Sequence, residues 1–189
     1  EPGYGRKGSI ASETRAAAAG GVTSLCCTPH TKPILDTAAV VDLILDKTRD
    51  EGSCKVFPIG AFTQGLAGEQ LAELVTLRNA GCVAFSNGLV PMSSNRVLRR
   101  ALEYAATFDL TVIFHPQDPD LAEGGLAHEG AVATFRGLAG IPETAETVAQ
   151  EETIVNDLGI TIIQYPEVGD KQLDIFLVTS YEDYYNLIE

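Results

Sequence analysis

Short apolar runs rich in β-branched and aromatic residues alternate along this chain with longer stretches of helical spacing. Val22–Cys27, Lys55–Ala61, Cys82–Ser86 and Leu110–His115 read as buried strands, and Thr37–Glu51, Gly68–Ala80 and Ser94–Phe108 read as helices. Leu71, Leu74, Val75 and Leu77 fall on one face of the second helix, and Val97, Leu98, Ala101, Leu102 and Ala105 on one face of the third. Gly52 and Gly81 stand just past helix ends, where a positive φ is easiest for glycine. Strand starts recur about every 27 to 33 residues, the length of one strand-helix unit in a parallel sheet. Four such units in a row predict an α/β fold, a (β/α)-barrel or part of one. A complete eight-unit barrel takes ~250 residues, so a chain of 189 is short by several units.

Past residue 140 the pattern changes. Pro142–Leu158 reads as a helix rich in Glu, Thr and Ala, Ile160–Tyr165 and Leu173–Thr179 as strands joined by a turn at Pro166–Asp170, and Tyr181–Glu189 as a short acidic helix. The expected organisation is therefore a barrel segment over 1–150 and a distinct C-terminal α/β segment over 151–189.

Composition narrows the function classes. The 26 Asp and Glu against 13 Lys and Arg give a formal charge of −13, which argues against a general nucleic-acid or anionic-membrane binder, since both need a positive surface. Cys26, Cys27 and Cys82 lie in apolar runs and Cys54 just before one, with no CxxC pair, so reduced core thiols are expected. No signal-peptide pattern and no apolar run near the ~20 residues of a membrane span occurs; a cytoplasmic protein is expected. The chain opens at Glu1 in a Glu-Pro-Gly turn, with no initiator Met, as a domain shorn of N-terminal residues would.

Several linked motifs give the chain a family likeness. Glu1-Pro2-Gly3, Lys7, Ala16-Ala17-Ala18-Ala19-Gly20-Gly21-Val22-Thr23, then Thr28-Pro29-His30-Thr31-Lys32-Pro33 and Asp36 resemble the dihydroorotases of the amidohydrolase superfamily, over roughly residues 1 to 150. The resemblance implies a TIM-type (β/α) barrel and a zinc-dependent, reversible hydrolysis of a cyclic amide, dihydroorotate to carbamoyl aspartate. Such chemistry needs several converging His and carboxylate ligands, so that zinc can polarise the carbonyl and generate hydroxide.

Set against that pattern, the chemistry-bearing positions are altered. The family's metal-binding His-x-His would precede Glu1. The Asn that the resemblance assigns to holding substrate is His30 here, followed by Thr31. Where the family places a carboxylated Lys or an Asp as bridging ligand, the chain reads Ala84-Phe85-Ser86-Asn87-Gly88, and the Asn87 carbonyl carries no charge to share between two cations. His115 matches a metal-binding His, but the Cys-Glu that follows in the common pattern is Pro116-Gln117, and no histidine follows His128. His30, Thr31 and Asn87 are thus the candidates for a substrate-like pocket, His115 is the single carried-over metal ligand, and no residue is assigned as catalytic.

The pattern resembles most the catalytically degenerate dihydroorotase homologues. The resemblance implies that these support assembly of aspartate transcarbamoylase, with no cofactor and as part of a homo- or hetero-oligomer. Two alternatives stand beside it: an active zinc dihydroorotase whose remaining ligands lie elsewhere, and a chimeric chain without native activity, prompted by the break near residue 150. Plainer readings apply to other groups. His128 beside Glu129 reads as a hydrogen bond at a helix start, and Asp118, Asp120 and Glu123 as a solvated acidic loop. Arg96, Arg99 and Arg100 form either an ordinary polar helix face or a docking patch for an acidic partner. An unclosed parallel sheet exposes its edges, so self-association is expected.

Overall fold

The computed structural model describes residues 2–90, 92, 94–114, 119–122 and 124–142. The elements expected beyond residue 142, together with His115, Asp118 and Glu123, lie outside the described residues.

A capping box opens α1 (Ile10–Ala19): the Ser9 hydroxyl accepts from the Ser12 amide at 3.0 Å, and the Ser12 hydroxyl accepts from the Ser9 amide at 2.8 Å. There follow β1 (Ser24–Cys27), α2 (Ala38–Glu51), β2 (Lys55–Ala61), α3 (Leu74–Ala80), β3 (Ala84–Ser86), α4 (Asn95–Thr107) and β4 (Val112–Ile113). The four strands form one parallel sheet in the order β1-β2-β3-β4, each strand beside the one before it. Beyond them, α5 (Pro119–Ala122) precedes a second parallel pair, β5 (Ala127–His128) and β6 (Gly140–Ile141), joined through α6 (Ala131–Arg136).

Alternation along the strands divides the sheet into two faces. Cys27, Val56, Phe85 and Val112 join α2, α3 and α4 in the main core, where Val41, Ile44, Leu74, Leu77, Ala101 and Ala105 are fully buried. Ile59, Ala84 and Ile113, with Cys26, make a smaller cluster on the opposite face. Thr14 fixes α1 to this layer, its buried hydroxyl accepting from the Ser53 amide at 3.0 Å just ahead of β2.

Three of the predicted strands begin later than their apolar runs, and one device accounts for all three. The amides of Val22, Cys82 and Leu110 each reach back five residues, to the carbonyls of Ala17 (2.9 Å), Leu77 (3.0 Å) and Ala105 (3.0 Å). Each is preceded by a residue of positive φ: Gly21 (+85°), Gly81 (+122°) and Asp109 (+51°). This is the Schellman closure, in which an apolar residue just past the helix seals its last turn. The same closure recurs after α6, from Leu138 to Ala133 through Gly137. These apolar residues therefore finish helices rather than start strands. Gly52 departs from the expectation: its φ is −72° and its ψ 136°, because the chain runs straight out of α2 toward β2.

The second expected helix begins at Leu74 rather than Gly68. The chain first doubles back on the end of β2, with Gln64 donating to the Gln70 carbonyl at 2.8 Å and Ala72 to that of Phe62 at 3.1 Å. Those backbone groups are then no longer available for helical bonds.

All four cysteines are free thiols. Burial, reinforced by the neighbouring Cys27, pushes the Cys82 thiol from its ordinary 9.0 up to about 12, and burial also raises Cys26 and Cys27. The folded chain thus holds the Cys82 proton more tightly than the unfolded chain does. The thiol's contribution to stability is fully present below pH 9 and is lost as pH rises toward 12, with a slope of at most about 1.4 kcal/mol per pH unit for each such thiol. Urea unfolding at pH 8 and pH 10.5 is expected to show that loss, and Cys82→Ala to reduce it; equal pH dependence in the two proteins refutes the assignment. Asp109→Gly, which relieves a side chain held at positive φ, is expected to stabilise the fold by about 1 kcal/mol in the same assay.

Candidate functional site

The C-terminal ends of β1, β2 and β3 converge on one mouth, the end of a parallel sheet at which βα folds assemble their sites. The loop leaving β1 is held close. Leu35 donates to the Pro29 carbonyl at 3.2 Å, and Ala61 at the end of β2 donates to the Leu35 carbonyl at 2.8 Å, so the loop returns to the sheet. Across its outer side runs the N-terminal segment, whose Pro2 carbonyl accepts from Lys32 at 3.0 Å. Asp36 ends the loop and accepts from the Gly65 amide at 2.9 Å, tying it to the turn after β2.

Thr31 turns inward and is buried. Its hydroxyl donates to the Pro33 carbonyl at 2.8 Å and its amide to the Pro29 carbonyl at 2.8 Å. Both polar groups serve the turn itself.

His30 and Asn87, distant in sequence, are brought to the same mouth. The His30 imidazole fills the space that a Cβ at Gly88 would take, and Gly88 has a φ of +61°; glycine is required there on both counts. Asn87 is 3% exposed. Its Oδ1 accepts two hydrogen bonds from Thr63, from the amide at 3.1 Å and the hydroxyl at 2.8 Å. The fully buried Thr63 hydroxyl in turn accepts from the Gly68 amide at 3.0 Å, and Asn87 Nδ2 rests 3.8 Å from Met92 Sδ. Ser86 Oγ accepts from the Gly88 amide at 2.9 Å. Among the described residues no buried side-chain polar atom lacks a partner. Thr63 was not evident as a site residue, because its partner lies 24 positions away and no local spacing marks the pair.

His128 sits in β5, and α6 starts only at Ala131 with Gly130 as its N-cap, so the helix-start reading of His128 with Glu129 does not hold. Glu129 instead donates its amide to the Ile141 carbonyl at 2.9 Å. Asp120 lies in α5, while the other two members of its proposed acidic loop fall outside the described residues.

On α4, Glu103 accepts from Arg99 at 3.0 Å and from Arg100 at 3.2 Å; the Arg99 hydrogen bond, more than charge attraction, holds its carboxyl below the usual range. A hollow of about 430 Å3 opens between this helix and the loop after β2, bounded by Glu69, Gln70, Leu71, Arg96, Val97 and Arg100.

A family model described as "Dihydro-orotase-like" matches residues 1–157. The chain belongs to the dihydroorotase-like family. It is 74% identical over 149 residues to a "Dihydroorotase-like protein" of Pseudomonas aeruginosa, an alignment covering 79% of this chain and 35% of that protein. To a protein of the same name from Pseudomonas putida it is 72% identical over the same shares. A "Dihydroorotase" of Syntrophobacter fumaroxidans is 49% identical over 148 residues, 78% of this chain and 34% of that protein. The chain thus spans about a third of the length of these curated relatives. Among solved structures, "L-Hydantoinase (Dihydropyrimidinase) from Arthrobacter aurescens" superposes with a TM-score of 0.62 at 17% identity, over 82% of this chain and 36% of that one. That likeness establishes the fold: an α/β segment of a TIM-type barrel.

Zinc fits the described mouth poorly. Asn87 offers a neutral carboxamide whose oxygen already accepts from Thr63 twice, and a divalent pair needs charged ligands between its ions. Among the described residues no three His, Cys, Asp or Glu side chains come together as a ligand set.

Two stability tests follow from this geometry. Asn87→Ala strands the buried Thr63 amide and is expected to cost about 1–3 kcal/mol in urea denaturation; a neutral result removes the latch. Gly88→Ala is expected to destabilise the fold, with His30→Ala restoring part but not all of the loss. Full rescue would show that contact with the imidazole, and not backbone φ, sets the requirement, and no rescue would show the reverse.

Proposed function

We propose that this dihydroorotase-like protein is non-catalytic and supports the assembly of aspartate transcarbamoylase. The observation that carries this reading is the state of Asn87. At the strand end where the family resemblance calls for a charged bridging ligand, the chain has a neutral side chain committed to Thr63. His30, in place of a substrate-holding Asn, is set against Gly88, and the Thr31 hydroxyl serves its own turn. The mouth is built as a self-satisfied structural cap. On this reading His30, Thr31 and Asn87 line a vestigial pocket, His115 is a structural histidine, and the protein acts through its surface, in a homo- or hetero-oligomer, without nucleic acid or membrane as partner.

A second reading, zinc-dependent hydrolysis of a cyclic amide, draws support from relatives that carry the name dihydroorotase at 49% identity. It requires ligands from residues other than those described, with His115 among them.

Metal analysis, dihydroorotate turnover and light scattering after size-exclusion chromatography with aspartate transcarbamoylase separate the two. The assembly reading expects one shared peak of defined mass and no turnover when zinc is supplied. Separate elution together with zinc-dependent turnover would overturn it in favour of the second.

A further inference from the structure

The hollow beside α4 has features that neither the fold nor helix stability requires. Three of the chain's 13 Lys and Arg fall within positions 96–100, in a protein of net charge −13. They occupy the start of α4, whose N-cap is Ser94 and whose first turn holds no acidic residue. A helix N-terminus carries partial positive charge and favours acidic side chains, so Arg96 sits where the helix itself would prefer Asp or Glu. Arg99 and Arg100 are offset by Glu103, whereas Arg96 has no ion pair among the described residues. Arg96 and Arg100, one helical turn apart, both line the hollow, and Leu71 and Val97 give it an apolar floor. Glu69 on the opposite rim repels an anion there and confines negative charge to the α4 side.

We propose that this hollow is a docking site for an acidic peptide segment of a partner protein, its carboxylates on Arg96 and Arg100 and an apolar side chain over Leu71 and Val97. The inference rests on the assembly reading above and names the surface through which it acts. Guanidinium groups recognise carboxylates with charge-assisted hydrogen bonds, and the helix terminus adds to the same field. Against the chain's overall charge of −13 this is a local positive feature, and its charge complementarity to an acidic segment favours a defined binding orientation.

The test uses aspartate transcarbamoylase as the probe, with affinity read by titration and mass by light scattering. Arg96→Glu with Arg100→Glu is the site variant, and Arg15→Glu with Arg49→Glu, both on exposed positions of other helices, is its charge-matched control. The site variant is expected to bind at least about tenfold more weakly and the control to bind as the parent does, with the parent complex loosening as salt rises. Arg96→Glu suits the start of α4, while Arg100→Glu gives up the exposed Glu103 pair as the control's Arg49→Glu gives up the exposed Asp46 pair, each worth little. Thermal melting of the two variants is therefore expected to match, separating lost docking from lost folding. Equal weakening in both variants would trace the effect to net charge and overturn the inference, as would undiminished binding by the site variant, which leaves the assembly reading standing. No complex with the parent protein would overturn both.

Discussion

Asn87 places a carboxamide in a nearly dry position, and a buried amide oxygen must find donors or cost the fold free energy. Thr63 provides both donors, from its backbone and its hydroxyl, and passes the constraint on to Gly68. The ends of β2 and β3 are thereby locked to each other and to the loop that doubles back after β2. That loop is the rim of the Arg96 hollow, while Asp36 binds the same turn to the loop after β1. A substitution at one strand end thus reaches most of the mouth through a short chain of hydrogen bonds.

The broad order of the barrel segment was legible in the sequence, because strand runs and helical stripes have different periods and the second and third predicted helices carry clear stripes. β2 is found with the bounds its apolar run predicts, and α4 buries Leu98, Ala101, Leu102 and Ala105 as expected. The junctions were not legible. Val22, Cys82 and Leu110 are apolar whether they start a strand or seal a helix, and only the backbone bond to a carbonyl five residues back tells the two apart. Gly21 and Gly81 were the available signal, and Asp109 gave none, since an aspartate at positive φ looks like any other in sequence. The latch was hidden for a different reason. Asn87 stood out through the residue it replaces, but its partner Thr63 is set by strand register, which no local pattern encodes.

A family likeness and a metal centre rest on different physical requirements. A barrel scaffold depends on core volume and periodicity, which tolerate many substitutions, whereas a metal centre depends on a few charged atoms at fixed positions. The motifs that identify the family here are largely turns and helix–strand contacts: the Gly-Gly-Val closure of α1 and the Pro-rich loop after β1. They hold the fold, whatever stands at the ligand positions.

The order of the strands carries one more consequence. Each new strand of the main sheet pairs with the strand just completed, and α1, α3 and α4 are each sealed by the first apolar residue of the next unit, so no described pairing in that sheet waits for a distant part of the chain. Such a sheet can grow on the ribosome at the pace of translation, one unit docking while the next is still being made. An emerging chain of this kind gains its order vectorially, from the N-terminus outward.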